Sequence, residues 1–293
     1  MRTRSAFTVA LLLAWFGSAG LAQTPGASAP APVSFIPNYR LFTVPTADVL
    51  RSLDVSLSGG GAFSAESERS FLGRAAIGLG DVAEVEISTL SVLNALKASS
   101  SSVPTSAFKM RVLRERGDRP AVSWLLRGTT DWRDIESPVP HVDFRTRLTR
   151  LQVVASKSVG TVDVHAGIGW ADIRVKDPGG YPGGPRWTGE LKRNLFSPFG
   201  GFSVPVNPRT TVMGEVDMVP RYDFGEGFTE ANQMILYAWS GAAGVRFYFA
   251  RWLSTDVGVI YRSDFDGLAD AAIRASANVL LPFAESKAHW SWN

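Results

Sequence analysis

Apolar and polar residues alternate one by one through most of this chain, the two-residue period of a strand with one wet face. Leu53, Val55 and Leu57 alternate with Asp54, Ser56 and Ser58, and Val85 and Ile87 with Glu84, Glu86 and Ser88. Phe108, Met110 and Val112 alternate with Lys109 and Arg111, and Val162 to Trp170 repeats the pattern against Asp163 and His165. No long stretch carries the i, i+3, i+4, i+7 spacing of a helix. The alternation predicts strands over 51–63, 69–80, 83–92, 104–116, 118–130, 143–156, 159–172, 191–205, 209–221, 233–249, 251–263 and 270–282. In the sixth, Arg145 and Arg147 share parity with Leu151 and Val153, which predicts a bulge or register change.

Loop lengths sort the strands. Every second connection is tight: Gly80-Asp81-Val82, Gly117, Ser158, Val206-Asn207-Pro208 and Ala250. The others, 64–68, 93–103, 131–142, 173–190, 222–232 and 264–269, are longer. Short turns at one end and long loops at the other are the pattern of a transmembrane antiparallel β-barrel, here of about twelve strands, with its short turns in the periplasm. An all-β barrel closes because an open sheet edge would leave backbone groups unpaired in hydrocarbon. Phe63, Trp132, Trp170, Tyr222, Phe249, Trp252 and Tyr261 fall near strand ends, where interfacial girdles lie. The same aromatics would suit the core of a soluble β-protein, but such a fold has no reason to segregate its loops by length.

If the apolar parity faces lipid, the charged parity faces the lumen. The lumen-lining candidates are Asp54, Arg74, Glu84, Glu86, Lys109, Arg111, Arg127, Asp163, His165, Glu215, Asp217, Arg246, Asp256 and Arg274. Both signs are present, so these groups either pair across a filled interior or tune a water-filled pore. Small inward residues (Gly60, Ala62, Gly78, Gly167, Gly169, Ser203, Gly244, Gly258) leave room for open volume.

The N-terminus adds a destination. Arg2 and Arg4, the apolar run 7–16 and the small residues up to Ala22 are ordered as in a secretory signal peptide, 1–22. Residues 23–50 follow as a periplasmic spacer, rich in Pro, Ala and Ser over 24–34, and a lead-in segment; the barrel is expected over 51–283 and a tail over 284–293. The tail holds Trp290 and Trp292, near the terminal aromatic position by which many outer-membrane barrels are recognised for assembly. No other apolar run reaches about 18 residues, so spanning helices are not expected. Cysteine is absent, which removes lipoprotein anchoring, disulfides and thiol chemistry. The formal charge of +3 falls to 3 − 2 = +1 without Arg2 and Arg4, and no basic block suggests nucleic acid.

The lead-in segment reads Leu41-Phe42-Thr43-Val44-Pro45-Thr46-Ala47, and the first tight turn reads Gly78-Leu79-Gly80-Asp81-Val82-Ala83-Glu84, or G-x-G-D-x-x-E. Both resemble elements of uncharacterised proteobacterial outer-membrane β-barrels, distantly like the exopolysaccharide-associated outer-membrane family. The resemblance covers about the first two hairpins and implies a barrel, with a polysaccharide role as its weaker implication.

Catalytic signals are sparse. The three histidines are His141 in a long loop near Asp134, Glu136 and Asp143, His165 beside Asp163 by parity, and His289 in the tail. A lipid hydrolase needs a nucleophile and base at the outer rim, and no Ser occupies an evident nucleophile position. Asp131, Asp134 and Glu136 lack a metal-ligand spacing, and Gly179 to Pro185 lacks the Lys-Ser/Thr of a phosphate loop. No cofactor or metal is expected. The sequence therefore points to a cell outer-membrane barrel, first as a passive, porin-like channel or a component of envelope or exopolysaccharide export. A structural or interaction barrel with a salt-bridged filled lumen is the second reading, and an outer-membrane lipid hydrolase the third. The expected partners are outer-membrane lipid and lipopolysaccharide, the assembly machinery, and a small solute or polysaccharide.

Overall fold

A computed structural model of the chain describes residues 39–63, 70–89, 104–129, 132–136, 143–176, 190–222, 235–265 and 267–283. The expected signal peptide 1–22, the expected spacer up to 38, the expected tail 284–293, His141, His289 and residues 179–185 lie outside the described residues.

The strands are β1 (Asp54–Phe63), β2 (Ser70–Leu79), β3 (Ala83–Ser88), β4 (Thr105–Leu113), β5 (Ala121–Thr129), β6 (Arg133–Glu136), β7 (Asp143–Val159), β8 (Val162–Lys176), β9 (Glu190–Asn207), β10 (Thr210–Tyr222), β11 (Ile235–Ala250), β12 (Leu253–Arg262) and β13 (Ala272–Pro282). Each pairs antiparallel with its neighbours, and β1 against β13, from Asp54↔Pro282 to Phe63↔Ile273, closes the sheet. β5 and β6 both pair with β7 and form one interrupted strand, so the thirteen segments make a closed barrel of twelve strands.

Turn chemistry explains the short end. Gly80 and Asp81 both have positive φ, +62° and +56°, as a two-residue turn matching strand twist requires, and the Val82 N–H donates to the Leu79 carbonyl at 3.3 Å. Gly117 (φ +55°) sits in a two-residue turn closed by reciprocal 3.1 Å bonds between Arg116 and Arg119. The turn expected at Ser158 lies instead at Gly160-Thr161, where Gly160 supplies the positive φ (+63°) that Ser158 would adopt only with strain.

The irregularity expected in the sixth strand is absent from β7, whose register with β8 runs unbroken from Arg145↔Lys176 to Val159↔Val162. The break is in its partner, between β5 and β6. Arg145 and Arg147 keep the outward parity because β7 continues past the apolar belt into water, where an outward charge costs little.

Burial follows parity through most of the described strand residues. Leu57, Ile77, Ile87, Leu126, Leu151, Trp170, Phe196, Trp239 and Phe249 are exposed on the outer wall while the alternate residues are buried. Phe63, Trp252 and Tyr261 are exposed among them. Such a continuous apolar exterior far exceeds the patches a soluble monomer tolerates, and it is what hydrocarbon demands. This is the architecture of a bacterial outer-membrane β-barrel.

Candidate functional site

The interior is occupied by the chain's own lead-in segment. Residues 39–50, read from sequence as lying before the barrel on the periplasmic side, fold into the lumen. Leu41, Phe42, Val44, Thr46, Ala47 and Leu50 are nearly inaccessible, between 0 and 2 % exposed. The segment turns back on itself at 41–44, where the Leu41 N–H donates to the Val44 carbonyl at 3.0 Å, and Arg40 bridges to Pro45.

Wall groups on strands all around the barrel hold it. The Glu215 carboxylate (β10) accepts the successive N–H groups of Phe42, Thr43 and Val44 at 2.8–3.0 Å, together with the Thr43 hydroxyl. Three consecutive amides converging on one carboxylate make a backbone anion nest. Arg274 (β13) donates to the Phe42 carbonyl at 3.0 Å and lies 5.9 Å from its ring centroid. Arg246 (β11) donates to the Arg40 and Leu41 carbonyls, and Lys109 (β4) to those of Tyr39 and Asp48. The Ala47 N–H donates to Ser156 Oγ (β7) at 2.8 Å, while the Ser123 hydroxyl (β5) donates to the Ala47 carbonyl. The Leu50 N–H donates to Glu84 (β3) at 3.0 Å.

Apolar contacts complete the seat. Leu41, Phe42, Val44 and Ala47 cluster with the inward Ala121, Val154, Phe199, Met213 and Ala242. The wall is cut away to receive them. A Cβ on Gly258 would come within 2.9 Å of the Phe42 ring, one on Gly201 within 2.4 Å of Leu41 Cδ1, and one on Gly78 within 1.9 Å of the Arg51 carbonyl oxygen. The small inward residues thus leave less open volume than their size suggests. Gly167 is filled by the Phe199 ring and Gly169 by the Arg150 guanidinium.

Most of the remaining sequence candidates occupy the same interior. Glu86 sits among three arginines: Arg74 (2.8 Å), Arg127 (2.8 Å) and, from the lead-in segment, Arg40 (3.7 Å). Glu84 faces Arg74 and Lys109, each at 3.6 Å. Arg246 pairs with Asp256 at 2.6 Å. Asp217 takes a two-pronged hydrogen bond from Arg150, at 2.8 and 3.1 Å, which links β10 to β7 across the intervening strands. Asp54 is buried beside the Pro282 end of β13. Asp163 accepts from the Ser158 hydroxyl at 2.7 Å near the short-turn end, and Arg111 reaches the Asp81 carbonyl at that rim. Sequence reasoning missed Arg40 and Arg150: Arg40 precedes the first strand, and the expected bulge hid the parity of Arg150.

His165 is buried, with Nδ1 2.8 Å from Ser156 Oγ. Ser156 lies under the plug, where the Ala47 N–H donates to its hydroxyl, and Nε2 of His165 has no hydrogen-bond partner among the described residues. The pair is therefore not at the lipid rim where a hydrolase would meet its substrate. Among the described residues no cluster of three metal-ligating side chains occurs.

Comparison with known proteins adds solved structures only. No family model matches the chain, and no curated protein does. Among solved structures the chain is similar to the KdgM porin, at 8 % identity over 76 % of this chain and 98 % of that one (TM-score 0.42). It is similar to the NanC porin at 9 % identity over 77 % and 98 % (TM-score 0.43). It is also similar to the translocator domain of autotransporter NalP from Neisseria meningitidis, at 11 % identity over 78 % and 85 % (TM-score 0.39).

The plug does not fill everything. A cavity of about 70 Å³ lies between it and the wall of β1, β2 and β11–β13, lined by Arg40, Phe42, Arg74, Asp256, Arg274 and Asn278 among others. Its polar lining and its size suit a few waters.

Proposed function

We propose that the chain is an outer-membrane channel closed by its own N-terminal segment, with residues 39–50 as the plug. The observation that carries this reading is the grip of Glu215 on three consecutive plug amides. A hydrogen-bonded segment inside a polar lumen can be exchanged for water when it leaves, because the wall groups that hold it are hydratable. The apolar cluster around Leu41 and Phe42 is the part of the seat whose wetting opposes departure. The passage left behind would be lined by charges of both signs and would carry small hydrophilic solutes.

The Arg150–Asp217 pair, which reaches from β7 to β10 across the interior, favours a second reading, a barrel filled for good and used as a structural or interaction element. Conductance in planar bilayers separates the two. The intact chain is expected to be closed or to open rarely, and deletion of residues 34–50 to give steady conductance. Glu215→Ala, which leaves three amides unsatisfied at about 1–3 kcal/mol each, is expected to raise the opening frequency. A deletion variant that keeps the heat-shifted gel mobility of a folded barrel yet passes no current would establish the filled barrel instead.

A further inference from the structure

The outer wall of β7–β9 changes character above the membrane. Leu151, Trp170 and Phe196 stand side by side in register, all about half exposed, as a lipid-facing row. Two residues further toward the long loops the row reads Thr149, Asp172, Asn194; the next reads Arg147, Arg174, Lys192; and the next pairs Arg145 with Lys176 and reaches Glu190. The interior inverts at the same height: Leu148, Ile173, Val175 and Leu195 are inward and almost wholly buried. The sheet here is built for water on its outer face, so these rows lie outside the hydrocarbon.

Like charges directly opposite one another on a sheet are destabilising, yet Arg147, Arg174 and Lys192 occupy three neighbouring strands at one level. Asp172 lies 3.1 Å from Arg174 and 4.0 Å from Lys192, and Arg147, Thr149, Asp172 and Arg174 border a small outward hollow. Lys176 is held over the Trp132 ring at 4.2 Å. The two rows next to the apolar one hold three cations, Arg147, Arg174 and Lys192, and one carboxylate, Asp172, a surplus of 3 − 1 = +2.

Four residues of a strand tilted about 40° rise about 10 Å. The cation row is therefore just above the lipid-facing row, within reach of a headgroup layer about 5–8 Å thick when long side chains bend back along the wall. This is the long-loop end, which faces outside the cell.

We infer that Arg147, Arg174 and Lys192 form a docking site for the phosphates of an outer-leaflet glycolipid. The occupant has acyl chains that lie against Leu151, Trp170 and Phe196 and a phosphorylated sugar that meets the cation row. Charge and depth match this occupant together: a soluble anion would have no use for the apolar row beneath. The inference does not depend on whether the lumen conducts.

The test uses the purified full chain in detergent and two probes, diphosphoryl lipid A and the same lipid with its phosphates removed, with retained lipid measured by native mass spectrometry. The chain should hold the diphosphoryl form about tenfold more tightly, and Arg147→Gln/Arg174→Gln/Lys192→Gln should abolish that preference. A folded barrel is confirmed by its heat-shifted mobility. If the triple variant does not fold, Arg147→Gln/Lys192→Gln is expected to lose part of the preference. Arg209→Gln/Arg251→Gln, at the opposite rim, should leave it intact. Equal retention of the two lipids by the unaltered chain, or an unchanged preference in a folded variant lacking the cation row, would overturn the assignment.

Discussion

At the scale of single residues, the interior is a set of charges whose neighbours decide their cost. Glu86 pairs with three guanidinium groups, of which only Arg74 also meets Glu84, so Glu86→Gln is expected to destabilise the barrel by about 3–5 kcal/mol, the penalty for stranding buried charge. Arg150 and Asp217 form a two-pronged pair, to which Ser197 adds one bond from Arg150 at 2.8 Å. Arg150→Met or Asp217→Leu singly should cost a similar amount, while the double variant should be close to neutral. Urea titration of detergent-refolded protein measures all four. Glu115, in the turn between β4 and β5, behaves differently. Its slight burial pushes the carboxyl up, but bonds from Lys157 Nζ (3.0 Å) and the Ser158 N–H (3.1 Å) hold it below the usual glutamate range. A depressed carboxyl stabilises the fold above the ordinary glutamate pKa and loses that contribution as pH falls through its own lower value. The stability difference between the native chain and Glu115→Gln should therefore be small at neutral pH and vanish in acid.

At the scale of elements, the first tight turn does two jobs. Gly80 and Asp81 set the hairpin, and Asp81 also accepts the Ser52 N–H at 2.6 Å. Gly78 lets the Leu50–Arg51 backbone pass, and Glu84 takes the Leu50 N–H. The turn thus fixes where the chain leaves the lumen and becomes β1. Gly80→Val, forcing a branched residue to positive φ, should cost about 1–2 kcal/mol and lower the urea midpoint. Gly78→Val should do more, because its side chain meets backbone rather than a movable side chain. The expected sign in bilayer recordings is more frequent opening from Gly78→Val than from Gly80→Val.

At the scale of the whole molecule, a twelve-stranded ring and a twelve-residue plug share one interior. The ring, its two ends and the parity of most strand residues, though not the inward Arg150, could be read from the chain, because each rests on local rules. Period-two alternation gives strands, short turns between long loops give the two ends, and parity separates lipid from lumen. Leu151, Trp170 and Phe196 outward, with Glu86 and Asp256 inward, follow from spacing without any knowledge of what they touch. The plug could not be read in this way. Leu41 to Ala47 has no periodicity of its own, and what makes it a plug is distant in sequence: Glu215, Arg246 and Arg274 are more than 170 residues away. The choice between an open and an occupied lumen was likewise beyond the sequence. A small inward residue such as Gly258 or Gly169 reads as empty space until the side chain that fills it is in place. Alternation is a property of one strand and survives in the sequence. Occupancy is a property of the closed ring, set by hydrogen bonds between segments that meet only after the barrel has closed.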